Sequence, residues 1–292
     1  MKPVPFRYVR ADSLEEVLDA LSEHGDEAKV LAGGQSLGPL LNLRLATPAV
    51  LVDINRVPEL GGAPRDEGVA VTVPAMTRQR DAERSAVLAT RCPMVTQALP
   101  FVAHSTIRNR GTVGGSLAHA DPAAELPTVA TALDAEFTAR STRGVRVIPA
   151  ADFFRSFFTS ELAEDEVLVS VRFPARTSGE GTAWVEFAPR HGDFAIVGVA
   201  AKVGLDGSGV VTAARLVYSG VAETPYRATE AEEALVGQAP TPEAMVAAGA
   251  AAAAACRPPA DLLGSSEYRQ NLIQLLTARA LQSAAESARR SE

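Results

Sequence analysis

Two short glycine-rich stretches carry most of the chemical suggestion in this chain: Leu31-Ala32-Gly33-Gly34-Gln35-Ser36-Leu37 and Gly111-Thr112-Val113-Gly114-Gly115-Ser116-Leu117. Adjacent glycines permit positive φ and carry no Cβ, so a ligand can approach the backbone closely. Successive N–H groups can then converge on an anion, with Ser36, Thr112 and Ser116 adding hydroxyl donors. Two such hollows facing one another would grip a diphosphate from both sides. A glycine pair alone marks an ordinary turn more often than a ligand site, so the weight rests on the two stretches together. Neither fits the G-x-x-x-x-G-K-[ST] pattern of a Walker-type site, and no G-x-G-x-x-G follows the first strand. A dinucleotide here requires a different fold.

Other reactive side chains are sparse. Cys92 and Cys256 lie far apart and in no C-x-x-C pattern, too few for an iron–sulfur cluster and ill-spaced for thiolate zinc. The plain reading is two buried small hydrophobes in a protein of a reducing compartment. His24, His104, His119 and His191 share no H-x-x-x-H or H-E-x-x-H spacing, which argues against a metal site. His119 adjoins the second glycine stretch, where a solvated or backbone-bonded loop histidine is the simpler reading than a ligand contact. Asp121 and Glu125 stand at i, i+4 near a helix start, where the dipole favours carboxylates. As a general acid–base pair they would need a substrate pocket, which the sequence does not identify.

The elements that must position these residues follow from patterning. Ser13 and Glu16 form a capping box, Leu14, Val17, Leu18 and Leu21 recur at helical spacing, and Gly25 closes that helix. A strand over residues 29–32 runs into the first glycine stretch, and another covers 49–54 after a helical turn. The opening 55 or so residues therefore read as β-α-β-α-β. Further on come a strand over 69–73, a helix over 93–103, the second glycine stretch, and a helix over 122–133 with Pro122 in its first turn. Strands follow over 136–139, 145–148 and 167–173. A polar stretch at 174–181 marks a boundary. Three β-like runs (183–189, 194–204, 210–219) and three helices (226–236, 241–256, 267–289) complete an α+β pattern.

Composition bounds the function. The 292 residues are 47% hydrophobic and 22% charged, ordinary for a globular chain, with a net charge of −7. That balance excludes sequence-nonspecific nucleic-acid binding, which needs a basic face. It also means that phosphates must be held mainly by backbone N–H groups. The N-terminal run MKPVPFRYVRADSLEE has no apolar h-region, and no apolar run reaches the ~18 residues of a membrane span, so a soluble, cytoplasmic protein is expected.

The stretch KVLAGGQSLGPLLNLRLATPAVLVDINRVPEL resembles the FAD-binding medium subunits of the molybdenum hydroxylases, the class of carbon monoxide dehydrogenase and bacterial xanthine dehydrogenase. TIRNRGTVGGSLAHADPAAELP, residues 106–127, is similar to their second FAD motif. The resemblance implies a vanillyl-alcohol-oxidase (PCMH)-type FAD fold over residues 1–176, with lobes at about 1–55 and 56–176. Residues 177–292 would form a C-terminal α+β domain like that of the CO dehydrogenase flavoprotein, with a three-stranded sheet and helices.

By the same resemblance, Leu31, Ala32, Gly33, Gly34, Gln35, Ser36 and Leu37 would wrap the FAD diphosphate and part of the ribityl chain. Ala103, Thr112, Gly114, Gly115 and Ser116 would form the facing wall. Glu125 would accept from a ribose hydroxyl of the adenosine portion, Leu168 would pack on the cofactor, and the Arg190–Ala195 segment with Asp193 would lie near the isoalloxazine ring. Some relatives have histidine at the position of Gln35 or asparagine at that of Ser116.

The resemblance further implies non-covalent FAD that takes electrons from the [2Fe-2S] clusters of a small subunit. A molybdopterin centre in a large subunit would supply those electrons, NAD⁺ or a quinone would receive them, and the assembly would be a dimer of heterotrimers. No side chain of this chain need act as nucleophile, and the sequence does not specify the substrate of such a complex. A stand-alone FAD oxidoreductase with its own substrate is the alternative, and a module that has lost FAD a third reading.

Overall fold

Ser13 opens the first helix as its spacing predicts, accepting from the Glu16 N–H at 3.2 Å while Glu16 reaches back to the Asp12 N–H at 2.7 Å. In the computed structural model, which describes residues 1–291, this helix α1 (Leu14–His24) lies between strands β1 (Arg7–Arg10) and β2 (Ala28–Leu31). Its Leu14, Val17, Leu18 and Leu21 are buried with Val50 and Val52 in one core. A second helix, α2 (Leu37–Leu43), and strand β3 (Val50–Asp53) complete a parallel sheet of order β1-β3-β2. The expected β-α-β-α-β opening is present.

The next lobe begins with β4 (Arg65–Asp66) and β5 (Ala70–Pro74). A run of short helices follows: α3 (Gln79–Glu83), α4 (Ala86–Arg91), α5 (Pro93–Ala98), α6 (Ser105–Arg108), α7 (Val113–His119) and α8 (Glu125–Ala132). Strands β6 (Glu136–Ser141) and β7 (Gly144–Pro149), helix α9 (Ala150–Phe153), a hairpin of β8 (Phe154–Ser156) and β9 (Thr159–Ser160), and β10 (Val167–Pro174) complete it. The five-stranded sheet has the order β4-β5-β10-β6-β7 with antiparallel neighbours. Phe137, Phe153, Phe173, Leu117 and Leu126 fill the core between sheet and helices. The helix expected over 93–103 stops at Ala98, gives way to a 3₁₀ turn over Leu99–Phe101, and reaches Ala103 at a left-handed φ of 44°. Pro100 has no N–H to continue the ladder.

The last layer is an antiparallel sheet of β11 (Glu180–Phe187), β12 (Val197–Leu205), β13 (Val211–Ser219) and β14 (Tyr226–Arg227). Its period of two sends Trp184, Ala200 and Val217 into the core of the middle lobe and Ala183, Val199 and Tyr218 towards the helices. Those helices are α10 (Thr229–Leu235), α11 (Pro242–Ala255) and α12 (Ser266–Arg289). The sheet therefore has four strands where three were expected. Tyr226 and Arg227 pair with β13 and delay the helix expected from 226; two residues are too few to leave a periodic signal.

Candidate cofactor site

The first glycine loop leaves β2 and enters α2. Gly34 makes the bend at φ 73°, a region L-residues avoid. The carbonyls of the loop are tied back: Leu31 accepts from the Ile54 N–H at 3.1 Å, Ala32 from Asn55 Nδ2 at 2.8 Å, and Gly33 from Gln35 Nε2 at 3.0 Å. Among the described residues, the N–H groups of Gly33, Gly34, Gln35, Ser36 and Leu37 donate to no protein atom. Bound carbonyls with free successive amides have the polarity of an anion-binding concavity.

The second loop is built differently. Thr112 caps α7, its Oγ1 accepting from the Gly115 N–H at 3.0 Å. The Val113 N–H donates to the Thr77 carbonyl at 2.9 Å, Gly114 to Ala75 at 2.8 Å, and Ser116 to Thr112 at 3.2 Å. What remains for a ligand is the Ser116 hydroxyl, free of protein partners among the described residues, and the bare surface of Gly115. Gly114 packs so tightly that an added Cβ would stand 2.7 Å from Ala75 Cα.

The loops border one another. A Cβ on Gly33 would lie 2.5 Å from the Arg110 carbonyl oxygen and 2.8 Å from Gly111 Cα, and one on Gly115 would lie 3.5 Å from Ala32 Cβ.

Ala103 extends this region. Arg108, almost fully buried, donates through Nη1 to the Val102 and Ala103 carbonyls, each at 2.9 Å, and through Nε to Glu83 at 2.9 Å. That clamp holds Ala103 in its left-handed conformation. Gly192 (φ 90°) lays the Arg190–Ala195 segment on the same corner, since a Cβ there would meet the His104 ring at 2.8 Å, and His191 stacks on Phe101 with centroids 6.3 Å apart. Asp193 sits exposed in that segment, its N–H donating to the Arg190 carbonyl at 3.1 Å. Leu168 is a core side chain of the middle lobe, beside Val169, whose carbonyl accepts from the Ala75 N–H at 2.9 Å.

Glu125, at the start of α8, is 4% exposed, and its own backbone N–H donates to its carboxyl. Burial, repulsion from Glu186 and, more weakly, Asp121 push its carboxyl up to about 8. Glu186 is itself raised to about 7 by burial, against the opposing hydrogen bond from Trp184 Nε1 at 3.2 Å. Burial also raises Asp121 and lowers His119. At neutral pH Glu125 is therefore mainly the neutral acid, which donates a hydrogen bond as well as accepting one. Sequence reasoning missed Glu186, Arg108 and Asn55. For Glu186 a signal existed: it follows Trp184 by two in a strand, on the face that the tryptophan buries.

This fold and these loops define a flavoprotein domain of the molybdenum hydroxylase type. Residues 4–176 match the FAD binding domain in molybdopterin dehydrogenase, and residues 183–284 match the CO dehydrogenase flavoprotein C-terminal domain. The chain belongs to this family: it is an FAD-binding medium-type subunit of a molybdenum-containing oxidoreductase. It is similar to the 6-hydroxypseudooxynicotine dehydrogenase complex subunit alpha of Paenarthrobacter nicotinovorans, 43% identical over 99% of this chain and 97% of the relative. The carbon monoxide dehydrogenase medium chain of Hydrogenophaga pseudoflava is 38% identical over 97% and 98% of the two chains. Among solved structures, carbon monoxide dehydrogenase from Hydrogenophaga pseudoflava superposes with a TM-score of 0.94 at 39% identity, covering 98% of this chain and 99% of that one. Quinoline 2-oxidoreductase from Pseudomonas putida 86 gives 0.93 at 36% identity, covering 99% of each. No helix among the described residues is long and apolar enough to cross a membrane.

The residues fit FAD. Free successive amides suit a diphosphate, and the neighbouring loop offers a hydroxyl and a backbone without a Cβ.

Proposed function

We propose that this chain binds FAD non-covalently between its two glycine loops and serves as the electron-transfer subunit of a soluble, cytoplasmic molybdenum hydroxylase. The observation that carries the reading is the run of free N–H groups from Gly33 to Leu37, bordered directly by the second loop. Leu31, Ala32, Gly33, Gly34, Gln35, Ser36 and Leu37 hold the diphosphate and adjoining ribityl chain. Ala103, Thr112, Gly114, Gly115 and Ser116 form the opposite wall. Glu125, as the neutral acid, hydrogen-bonds a ribose hydroxyl. Leu168 backs the cofactor from the core, and the segment with Asp193 lies at the ring end. Residues 1–176 make the FAD unit, in lobes of about 1–55 and 56–176, and residues 177–292 the C-terminal domain.

Bound FAD supplies both one-electron and two-electron chemistry. The chain's own residues bind it, orient it and set its electrostatic surroundings. Electrons come from a small [2Fe-2S] subunit fed by a large molybdopterin subunit and leave for an external acceptor, in a dimer of heterotrimers. Relatives named as a medium chain and as a complex subunit support this division of labour. The test is purification of the full chain alone and with the two co-expressed partners. We expect about one FAD per chain, released intact by acid, and flavin bleaching by the complex's substrate only when both partners are present. Bleaching of the isolated chain by a small organic donor would establish a stand-alone oxidoreductase instead, and failure to take up FAD at all would sink both readings.

A further inference from the structure

Asn55 follows β3 and Arg78 precedes α3, so neither belongs to a glycine loop, yet their side chains join the two loops. Asn55 Nδ2 donates to the Ala32 carbonyl at 2.8 Å, Asn55 Oδ1 accepts from Arg78 Nη2 at 2.8 Å, and Arg78 Nη1 donates to the Arg110 carbonyl at 2.6 Å. Chemistry fixes the sense of the amide: a guanidinium only donates and a carbonyl only accepts, so Oδ1 must face Arg78 and Nδ2 the loop. The Asn55 end is anchored in the first lobe, where Asp53 Oδ1 accepts from the Asn55 N–H at 2.8 Å and from Nδ2 at 2.6 Å, while its other oxygen accepts from the Tyr8 hydroxyl. The Arg78 end is anchored in the second lobe, where the neighbouring Gln79 N–H donates to the Gly111 carbonyl at 2.9 Å.

Among the described residues no hydrogen bond runs directly between residues 31–37 and residues 110–116. Apart from this strap, the loops meet through the close approach of Gly33 to Arg110 and Gly111 and the packing of Gly115 beside Ala32. Van der Waals contact resists compression but scarcely resists opening, whereas a chain of charge-assisted hydrogen bonds resists both.

We infer that Asn55 and Arg78 are positioning residues whose linked side chains set the separation of the two glycine loops and thereby the grip on FAD. This rests on the flavin reading above, because the separation matters only if one ligand spans both loops. The strap acts as a unit: cutting it at either end frees the loops equally, and cutting it twice adds nothing.

The test measures the FAD dissociation constant of the full-length chain by titration of the flavin-free protein, with the visible circular dichroism of bound flavin as a second readout. Asn55→Ala, Arg78→Met, their combination and Arg78→Lys are compared with the unaltered chain. Each single variant is expected to weaken binding about tenfold and change the flavin dichroism, as loss of one charged hydrogen bond implies. The combination should be no weaker than the weaker single variant. Arg78→Lys should recover only part of the affinity, because one ammonium does not reproduce a two-ended guanidinium. The melting temperature of the flavin-free protein should fall by no more than about 2–4 °C.

Binding by the unaltered chain with unchanged affinity in the variants would overturn the strap and leave the flavin reading standing. Additive losses, or full recovery with lysine, would show that Arg78 acts by its charge and overturn it too. A large fall in flavin-free stability in both singles would make the pair a fold contact and likewise remove the strap. No FAD uptake by the unaltered chain would remove the flavin reading itself.

Discussion

In the first glycine loop the carbonyls of Leu31, Ala32 and Gly33 are occupied and, among the described residues, the amides from Gly33 to Leu37 are free. In the second, the amides of Val113, Gly114, Gly115 and Ser116 are all occupied. The two segments share a Gly-Gly pair and a following hydroxyl, yet the fold puts the glycines to different uses. Gly34 supplies a left-handed bend and an approachable backbone; Gly114 supplies room for the main chain at Ala75. The similarity in sequence therefore covers two structural uses, a left-handed bend with undonated amides on one side and backbone packing on the other. Where the sequence suggests two facing anion hollows, the structure has undonated amides in the first loop and occupied ones at Val113 to Ser116 in the second.

The largest effect that separates the loops belongs to the packing glycine. Gly114→Val drives a branched side chain into Ala75, where the first added carbon already meets Cα at 2.7 Å. It should destabilise the flavin-free chain by about 3 kcal/mol, the upper end of the usual range for overpacked cores. Chemical denaturation reads this directly, and an unchanged midpoint would abolish the distinction between the loops. Gly34→Val should behave in the opposite proportion. Its Cβ would meet only Leu31 Cδ1, at 3.2 Å, so the fold loses the roughly 1–2 kcal/mol of a left-handed L-residue. Flavin affinity should fall by at least about a hundredfold, because the side chain and the altered bend both disturb the free amides. Equal flavin retention in Gly34→Val and the unaltered chain would show that the first loop is an ordinary turn.

Behind the second wall lies an effect that depends on pH. Glu125 ionises near 4.5 when unfolded and near about 8 when folded, so its raised value gives stability fully present below 4.5 and lost as pH rises through 8. Glu125→Gln removes that dependence. The variant should match the unaltered flavin-free chain at pH 4 and exceed it by on the order of 4 kcal/mol at pH 9, with the difference opening in between. Parallel stability curves across that range would mean that Glu125 is not held neutral. Flavin affinity should fall in the same variant by about fivefold at neutral pH, as for one hydrogen bond changed in kind.

These contrasts mark how far the sequence could be read. The opening β-α-β-α-β unit was legible because Ser13, the leucines of α1 and Gly25 signal locally, within one helix. Both glycine loops were legible as loops, but not as unequal ones. The difference depends on Ala75, Thr77 and Asn55, whose distance along the chain leaves no periodic trace. The short helices α3 and α4 were missed because five or six residues hold too few turns for periodicity. Arg108 lies in the run TIRNR of the second motif, where no local pattern marks it as buried. Its burial is compensated by Glu83 and by the preceding loop, which folds back and offers it three carbonyls, those of Pro100, Val102 and Ala103.

The finest test of the comparison uses the hydroxyls of the second wall. Thr112 Oγ1 already accepts from the Gly115 N–H, so Thr112→Val removes a helix cap and should cost about 1 kcal/mol of stability, while Thr112→Ser should restore most of it. Among the described residues Ser116 has no side-chain partner to lose, so Ser116→Ala should leave the flavin-free stability unchanged within about 0.5 kcal/mol. Its cost should show only in flavin binding, as the roughly fivefold weakening of one neutral hydrogen bond. If denaturation and flavin titration showed both hydroxyls acting on stability alone, the second loop would be wall and nothing more. Ligand recognition would then fall wholly to the free amides of the first.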